Sequence, residues 1–582
     1  AAASAAAAAA GVGVEISAPD ELKTLLETHL DLVRLGKLAR NEVDGSEWSR
    51  LIDATPAQAR QLLETEGYFN PVITLQREPA QRAGAADLVK LQVTPGPRAR
   101  IGKVTIEAEG ALQTGAAAGE PHAVQTLALL RRDWALPVGH VFRNGDWNTA
   151  KAAALARLRA AGYATAVWIG SGAEVDTATE RVQLYLVADS GPLFRYGELE
   201  VEGLARQDLA SVANLVGAAR GAPVTESLLL DLQDRLQKSG LFQTASVTLD
   251  PDPARAEDAR ILVRVHEAPV QTATFGVGVS ANTGPRASVE HYFRRPFGYA
   301  STVHTQLEYG KLHKFWNTQI TGNANADLNR DLLAGTVEQL VSSTDQVLSK
   351  RVRLGRTQDT QRIERFYFVE AERSTRQTFD NVINSQAIAV SLNYQGGRRE
   401  LDSLVLPTRG YTFTGQAGIG RSHGSNAVPG PFTRLYLRAT GYLPLGAQWY
   451  SQGRIEFGQV FLRSNMVVPE SQQFRAGGDE SVRGYDYRSL GPIVDGAVGS
   501  GNVLYTTSLE LAHPIVRSLP ALWGAVFVDA GNAGNTFKHL NPAVGLGVGV
   551  RWRSPVGPLR VDWAYGRNTR RSKLLFSVGI AF

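Results

Sequence analysis

The sequence contains no cysteine and a single methionine, and these absences exclude several kinds of chemistry. Without cysteine, no disulfide scaffold, thiol nucleophile or cysteine-based zinc site can form. The methionine is internal, Met466, and we therefore expect that an initiator methionine and a signal peptide have been removed. No stretch of about 20 apolar residues occurs, which excludes a transmembrane helix. A membrane β-barrel stays possible, because its strands alternate in polarity.

The chain also lacks a strong excess of charge of one sign, with a net charge of +5 over 582 residues. A nucleic-acid-binding surface needs a dense cluster of Lys and Arg, so we expect no nucleic-acid partner. The ten histidines are scattered and no His-Glu-x-x-His motif occurs, so we expect no metal site. The Gly-x-Gly pairs lie inside alternating segments and open no helix, so we expect no nucleotide or other cofactor.

One short motif fits an enzyme, but its context does not. Residues 420–424, Gly-Arg-Ser-His-Gly, match the G-x-S-x-G nucleophile elbow of serine hydrolases. That elbow needs a turn between a strand and a helix, whereas this segment follows an alternating strand and enters a loop containing Gly and Pro. We therefore expect that the protein is not an enzyme.

Residues 12–268 contain a phrase that occurs three times: a helix, a glycine that ends it, an aromatic or apolar residue, and a strand. The three glycines are Gly67, Gly162 and Gly240. Glycine at this position adopts the left-handed conformation, and the next side chain folds back onto the helix. A second phrase, at Gly96 and Gly191, repeats with the same 95-residue period. This agreement favours three tandem α+β modules over a coincidental run of glycine-ended helices. The predicted segments are a low-complexity tail at 1–11 and modules at 12–95, 96–190 and 191–268.

From residue 269 onward, apolar residues alternate with Gly, polar or charged residues. In residues 544–552, for example, Val, Leu, Val, Val and Trp alternate with Gly or Arg. A soluble sandwich would also alternate, but it has less reason to place aromatic residues at strand ends and charges opposite the apolar face. At about 20 residues per strand and connection, this region allows about 16 strands. We predict a 16-stranded antiparallel outer-membrane β-barrel over 269–582, although residues 340–375 fit no clear strand pattern.

The C-terminal segment places Leu574, Phe576, Val578, Ile580 and Phe582 on one face. An ordinary last strand could show the same alternation. With its terminal aromatic residue, however, the segment resembles the C-terminal strand signal of bacterial outer-membrane proteins.

The most specific motif is Val482-Arg483-Gly484-Tyr485, within a Gly-rich stretch between two predicted strands. It resembles the motif of the sixth extracellular loop in the BamA-type superfamily, and the three modules resemble its POTRA domains. Residues 523–532 and 548–562 resemble the TamA family most, the outer-membrane subunits of the translocation and assembly module. Three modules, rather than two or five, agree with this resemblance.

The resemblance implies that a loop at about 462–502 folds into the barrel lumen, where Arg483 pairs with an acidic residue of the inner wall. Parity makes Asp562 a good inward candidate, and Asp529 and Glu510 are rivals. In a wet lumen such a pair would contribute about 1 kcal/mol or less. Arg483 could alternatively serve only to plug the pore.

The resemblance also implies a weak lateral seam between the first strand, at about 271–281, and the last, at about 573–582. Gly579 could let the last strand kink and leave backbone groups of the first strand free to pair with an incoming strand. The predicted seam and terminal-signal residues are Phe275, Val277, Val279, Phe576, Val578, Gly579, Ile580 and Phe582.

The function implied is that of a bacterial outer-membrane translocation and assembly factor whose modules lie in the periplasm. Its expected partners are outer-membrane protein or autotransporter clients, outer-membrane lipid, and an inner-membrane-anchored TamB-like protein that docks on the first module. The alternatives are a two-partner-secretion pore, which usually has two POTRA domains and a plug helix, and a conduit for phospholipid. A passive porin or receptor would need no POTRA domains.

Overall fold

A computed structural model of the chain describes residues 12–581 with the exception of several internal ranges. These ranges are 39–44, 80–86, 283, 343–344, 361, 380–383, 404–406, 426, 447, 495–496, 517–518, 520 and 555–556. The predicted alanine-rich tail and Phe582 therefore lie outside the described residues. Among the helices that the structure describes, none combines the length and hydropathy of a transmembrane segment.

The chain divides into two compact units. The first comprises the described residues up to Glu200 together with Ala218–Asp231 and Val247–Val263, and the second comprises Val201–Gly217, Leu232–Ser246 and the chain from Arg264 onward.

Three small sheets precede the barrel, and each has its last strand in the centre. In the first two sheets the central strand runs parallel to the first strand and antiparallel to the second. The strand orders are β1-β3-β2, β4-β6-β5 and β7-β9-β8. The elements of the first sheet region are β1 (Val12–Ser17), α1 (Asp20–His29), α2 (Asp31–Leu38), α3 (Gly45–Thr65), β2 (Val72–Glu78) and β3 (Asp87–Thr94).

The second and third regions repeat this arrangement of mixed helices and strands. The second contains β4 (Arg100–Glu109), α4 (Ala111–Ala117), α5 (Pro121–Arg132), α6 (Asn144–Ala160), β5 (Val167–Asp176) and β6 (Arg181–Asp189). The third contains β7 (Tyr196–Glu202), α7 (Leu209–Ala213), α8 (Glu226–Lys238), β8 (Phe242–Leu249) and β9 (Ala259–Glu267). The predicted module boundaries fall in the segments that separate these sheets.

The three repeated glycines adopt the predicted left-handed conformation. Their φ angles are +90° at Gly67, +102° at Gly162 and +75° at Gly240, so this prediction is confirmed. The following Tyr163 is 1% exposed and packs in the core of the second region. A side chain at Gly67 would overlap the carbonyl of Phe142, so this position requires glycine for space as well as for conformation.

The rest of the chain forms a closed barrel of 16 antiparallel strands, as predicted. The connection between β20 (Trp449–Phe461) and β23 (Val503–Pro514) is long, and we name it loop 6 (462–502). Inside it, the two-residue strands β21 (Ile493–Val494) and β22 (Ala497–Val498) form a separate antiparallel pair. The barrel strands are β10 (Gln271–Ser280), β11 (Gly284–Arg294), β12 (Ser301–Gly310), β13 (His313–Gly322), β14 (Asn329–Val341), β15 (Asp345–Asp359), β16 (Ile363–Thr378), β17 (Asn384–Leu401), β18 (Gly410–Gly424), β19 (Gly430–Gly446), β20 (Trp449–Phe461), β23 (Val503–Pro514), β24 (Leu522–Gly534), β25 (Ala543–Ser554), β26 (Gly557–Gly566) and β27 (Arg571–Ala581).

The barrel is apolar outside and polar inside. Along β26 the outward side chain of Trp563 is 54% exposed, whereas the inward Asp562 is completely buried. This inversion of a soluble protein's pattern is expected where the outer face meets lipid. The segment that fitted no pattern, 340–375, runs from the end of β14 into β16. The G-x-S-x-G segment lies within β18, where Ser422 donates a hydrogen bond to the carbonyl of Val467 at 2.5 Å.

Candidate functional site

Loop 6 inserts Arg483 among acidic residues of the inner wall, and its main partner is Asp529. The guanidinium Nε lies 2.7 Å and Nη2 2.9 Å from the two carboxylate oxygens of Asp529. The backbone N–H of Arg483 donates to the same carboxylate at 3.0 Å. Asp529 therefore receives three hydrogen bonds from one loop residue, which fixes both the side chain and the backbone of the loop at this point.

The other two predicted acids complete the same cluster. Arg483 Nη1 lies 2.8 Å from Glu510 and 3.4 Å from Asp562. Arg551 of β25 bridges these two acids, at 2.8 Å from Glu510 and 2.6 Å from Asp562. The structure thus brings all three candidate acids together, with Asp529 rather than Asp562 as the principal partner. Arg483 and Arg551 face the three carboxylates, and Arg560 of β26 lies 3.8 Å from Asp562 at the margin of the cluster.

This cluster is dry, contrary to the expected wet lumen. Arg483 is 4% exposed, and Asp529 and Asp562 are both 0% exposed. The guanidinium carbon also lies 3.4 Å from the ring centre of Phe527. Burial by itself would lower the pKa of Arg483, but the hydrogen bond and charge of Asp529 more than offset it and raise that pKa, so Arg483 stays charged. Removing one member of a buried pair costs about 3–5 kcal/mol, far more than the wet-lumen value.

The remaining motif residues seat the loop against β25 and β26. Gly484 has φ +92°, and a side chain there would lie 2.8 Å from the backbone nitrogen of Gly566. The hydroxyl of Tyr485 lies 3.1 Å from the carbonyl of Val544 and accepts a hydrogen bond from the backbone N–H of Asn568 at 3.1 Å. Val482 is completely buried in an apolar cluster. The motif therefore packs closely against β25 and β26, and this fit requires a glycine at position 484.

Glycines of the wall make this approach possible. A side chain at Gly545 would overlap the carbonyl oxygen of Arg483, and one at Gly549 would overlap the carboxylate of Asp562. Gly545 therefore lets the backbone of loop 6 approach the wall, and Gly549 leaves room for a carboxylate of the neighbouring wall strand.

A second anchor, which the sequence did not reveal, holds loop 6 on β15 and β16. Arg475 of the loop forms a two-pronged pair with Asp345, at 2.6 and 3.1 Å, and both side chains are 1% exposed. Arg376 of β16 reaches the same carboxylate at 2.6 Å. Glu470 of the loop lies 3.5 Å from Arg475 and 3.7 Å from Arg376. By strand order this anchor is on the far side of the barrel from the Arg483 cluster.

Gln472 adds a further link on the same wall. Its amide nitrogen lies 2.8 Å from Glu370 and 3.0 Å from Glu372, both of β16 and both 2% exposed. The sequence offered one signal for this second anchor, since Arg475 lies eight residues before Arg483 in the same loop. The partner of Arg475, Asp345, lies in the segment 340–375, whose strand pattern was not recognised.

The seam between β10 and β27 has the shortest ladder among the described strand pairs of the barrel. Residues 276–280 pair with 577–581, whereas the β26–β27 ladder has seven pairs and the β15–β16 ladder fifteen. One further hydrogen bond, 3.0 Å long, runs from the N–H of Ala281 to the carbonyl of Phe576 and extends the seam at its end. Within the described part of the chain, residues 271–275 have no partner in β27.

The predicted seam side chains divide into two groups. Phe275 and Val277 face outward and are 59% and 60% exposed, and Phe576 is 39% exposed. Val279 pairs with Val578 in the backbone register. The side chains of Val578, Gly579 and Ile580 and all of Phe582 lie outside the described residues, so the predicted kink at Gly579 stays a prediction.

Loop 6 also touches the ends of both seam strands. After β10, Asn282 accepts a hydrogen bond from the backbone N–H of Asp479 at 3.1 Å, and its amide contacts the Asp479 carboxylate. On the other side, Asp486 pairs with Lys573 of β27. Burial raises the pKa of Asp479, against the opposing charge of Arg560 at 3.7 Å. The loop is therefore bound to two walls and borders the seam.

Comparison with known proteins gives one family and a common fold. Residues 273–582, just over half of the chain, match the model of the Omp85 superfamily domain. A 193-residue stretch is 26% identical to the chloroplastic outer envelope protein 39 of Arabidopsis thaliana, covering 28% of this chain and 50% of that protein. Another of 208 residues is 28% identical to the outer membrane protein assembly factor BamA of Neisseria meningitidis, covering 29% of this chain and 25% of that one. The chain thus spans half or less of these relatives.

A solved structure shows the same fold. BamA from Haemophilus ducreyi lacking POTRA domains 1–3 superposes with a TM-score of 0.64 at 17% identity, covering 83% of this chain and 100% of that chain.

Proposed function

This chain belongs to the Omp85 superfamily, and from that membership we propose that it is a TamA-type translocation and assembly factor, which inserts or secretes outer-membrane proteins such as autotransporters. Its fold, a 16-stranded antiparallel barrel preceded by small mixed α/β units, is that of BamA-type proteins of the bacterial outer membrane.

The observation that carries the proposal is the short ladder between β10 and β27. Residues 271–275 leave the edge of β10 unpaired within the described chain. An unpaired strand edge is a template for another strand, and its main-chain groups supply the affinity. A client strand would first pair with 271–275 and then replace the five pairs of the seam one by one. Because each lost hydrogen bond is replaced, no bare backbone is left in the lipid, where it would cost several kcal/mol per group.

This mechanism needs no nucleotide, since the folding of the client supplies the free energy. The first α/β region is our proposed docking surface for an inner-membrane-anchored TamB-like partner. Its outer strand β2 supports this, because Val72 on that strand is 63% exposed and the strand has an edge without a neighbour in its sheet. Capture of the partner by a chain lacking residues 12–95 would contradict this part.

A disulfide across the seam tests whether the client strand pairs there, and because the chain has no native cysteine, no competing disulfide can form within it. Val277 and Ile580 are register partners, so Val277→Cys with Ile580→Cys is the pair to introduce. The matched control is Val289→Cys with Leu307→Cys, register partners in the neighbouring β11–β12 ladder. We expect the oxidised seam pair to abolish client insertion and reduction to restore it, while the control pair works in both states.

The other outcomes distinguish the alternative functions. If the oxidised seam protein still exports a soluble client, the route is the lumen and the protein is a secretion pore. If client insertion is unaffected but transfer of phospholipid to the outer membrane stops, the seam serves lipid rather than protein. Either result would overturn the client-pairing mechanism.

A further inference from the structure

We propose that the outer wall of β15 to β18 carries a binding site for the phosphate groups of a lipid in the extracellular leaflet, a phosphorylated glycolipid. Lys350 of β15, Arg373 of β16 and Arg421 of β18 form this site, which we name the outer cation cluster. Nothing in the seam mechanism uses these residues, so the inference stands or fails independently of the proposed function.

The first observation is a pair of like charges placed directly opposite each other. Lys350 and Arg373 are register partners in the β15–β16 ladder, and both side chains are exposed. Directly opposed side chains have Cβ atoms about 5 Å apart, and like charges in that position destabilise a sheet. A bound anion between them converts this repulsion into attraction.

The second observation concerns the third cation and the lack of acids. Arg421 lies opposite Val390, which itself lies opposite Ala371, two residues from Arg373. Since neighbouring strands are about 4.8 Å apart and the two-residue offset adds about 7 Å along the strand, Arg421 is about 12 Å from Arg373 across the wall. Among the described residues, none of the three cations forms an ion pair, and the recorded partner of Arg373 is the neutral Gln386 at 3.0 Å. Elsewhere in the barrel, arginines such as Arg353 and Arg551 are paired with carboxylates.

The third observation is the height of the cluster on the wall. The strand ends on this side lie opposite the end at which the chain enters the barrel from the α/β units, so this is the extracellular half. Below Arg373 on the outward face of β16, Val369 and Tyr367 are 47% and 53% exposed, whereas Thr375 and Gln377 follow above. On β16 the cation thus stands where the apolar band gives way to polar residues, which is the level of lipid phosphates.

A groove for an acyl chain runs beside the cluster. It has a volume of about 430 Å³ and is lined mainly by apolar side chains, with Lys350 and Arg351 also among its lining residues. Gly335 faces outward here and has nothing within 4 Å of the position of a side chain, so it leaves the space open between its neighbours. The lining of the groove includes Trp316, Ile320, Leu333, Gly335, Val352 and Lys350. A phosphate beside an apolar groove matches a lipid rather than a protein or a free anion.

Binding to the full chain in detergent tests the site, with bis-phosphorylated lipid A as the probe and the same lipid without phosphates as its comparison. Lys350→Gln with Arg373→Gln should weaken binding of the phosphorylated lipid about 30-fold, because each surface cation contributes about fivefold. The control is Lys311→Gln with Arg567→Gln, which removes the same charge from exposed extracellular turns. We expect the control pair to bind within about twofold of the unchanged protein.

A second variant separates the site from general charge attraction. Lys350→Glu places an acid opposite Arg373, so it should raise the urea midpoint of the lipid-free barrel while abolishing lipid binding. Equal binding of the two lipids, equal loss in the control pair, or competition by inorganic phosphate at the same concentration as the lipid would each overturn the proposal. A lower midpoint for Lys350→Glu would remove the like-charge argument.

Discussion

The buried pair of Arg483 and Asp529 should couple by about 2–3 kcal/mol, and a double-mutant cycle measures that energy. Asp529 receives three hydrogen bonds, at 2.7, 2.9 and 3.0 Å, all from Arg483. Arg483→Ala therefore leaves the buried Asp529 without its partner, while Arg551 and the more distant Arg560 still face Glu510 and Asp562, and we expect a loss of about 3–5 kcal/mol. Asp529→Ala should cost less, because Arg483 keeps Glu510 at 2.8 Å. The double variant should cost less than the sum of the two.

The assay is urea unfolding of the full chain in detergent, with stability taken by linear extrapolation. The control cycle uses Arg356 and Asp331, which are 2.8 Å apart but have side chains 60% and 72% exposed. An exposed pair of this kind contributes about 0.2–1 kcal/mol. Both pairs join an arginine to an aspartate at a similar distance, but the buried pair has three hydrogen bonds and the exposed pair one. The difference between the cycles therefore measures burial together with the additional bonds. A coupling energy no larger in the buried pair than in the exposed one would refute the reasoning. The pair would then contribute about 1 kcal/mol or less, as expected for a wet lumen.

Two further substitutions test how loop 6 is seated. Gly484→Ala should destabilise the barrel by about 1–3 kcal/mol, because φ is +92° and the new carbon would lie 2.8 Å from the nitrogen of Gly566. The control is Gly441→Ala, where a new side chain would have nothing within 4 Å. Equal urea midpoints for the two variants would contradict the close packing of Gly484 against the wall. Arg475→Gln should release the second anchor and speed cleavage of loop 6 by an added protease at least about tenfold, since it breaks a buried pair. The control Arg463→Gln, at an exposed position, should leave the cleavage rate unchanged. An unchanged rate in both variants would show that the Arg475 pair does not hold the loop.

Much of the fold follows from the sequence because period and glycine position are local properties. Alternation marks a strand whatever it packs against, and a glycine after a helix reports its own φ angle. The position of loop 6 between two alternating segments also follows, whereas its expected bounds and its place in the lumen came from the resemblance. Residues 340–375 were different. Lys350 and Arg373 face outward there, so charge stands on the face that lipid normally makes apolar, and the alternation is broken.

The identity of the partner of Arg483 could not be derived from parity. Parity assigns a side chain to the inner or outer face, and all three candidate acids are correctly inward. It does not give the height of a residue in the barrel, which depends on the stagger between strands. In the register with β25, Asp529 lies opposite Gly545 and Asp562 opposite Gly549, four residues further along the strand. That offset places Asp529 beside the backbone of Arg483, and only the folded register reveals it.

The distribution of the loop contacts indicates which side of the seam can move. Among the described residues, loop 6 holds β27 and its preceding turn through Asp486 with Lys573 and Tyr485 with Asn568. Towards β10, the recorded bonds join Asp479 with Asn282 alone. Displacing either strand breaks the five-residue ladder. Displacing β27 would also break loop contacts that the buried anchors keep in place, whereas displacing β10 would break the bonds of one loop residue. If the seam opens as proposed, we therefore expect β10 to be displaced and β27 to stay with loop 6.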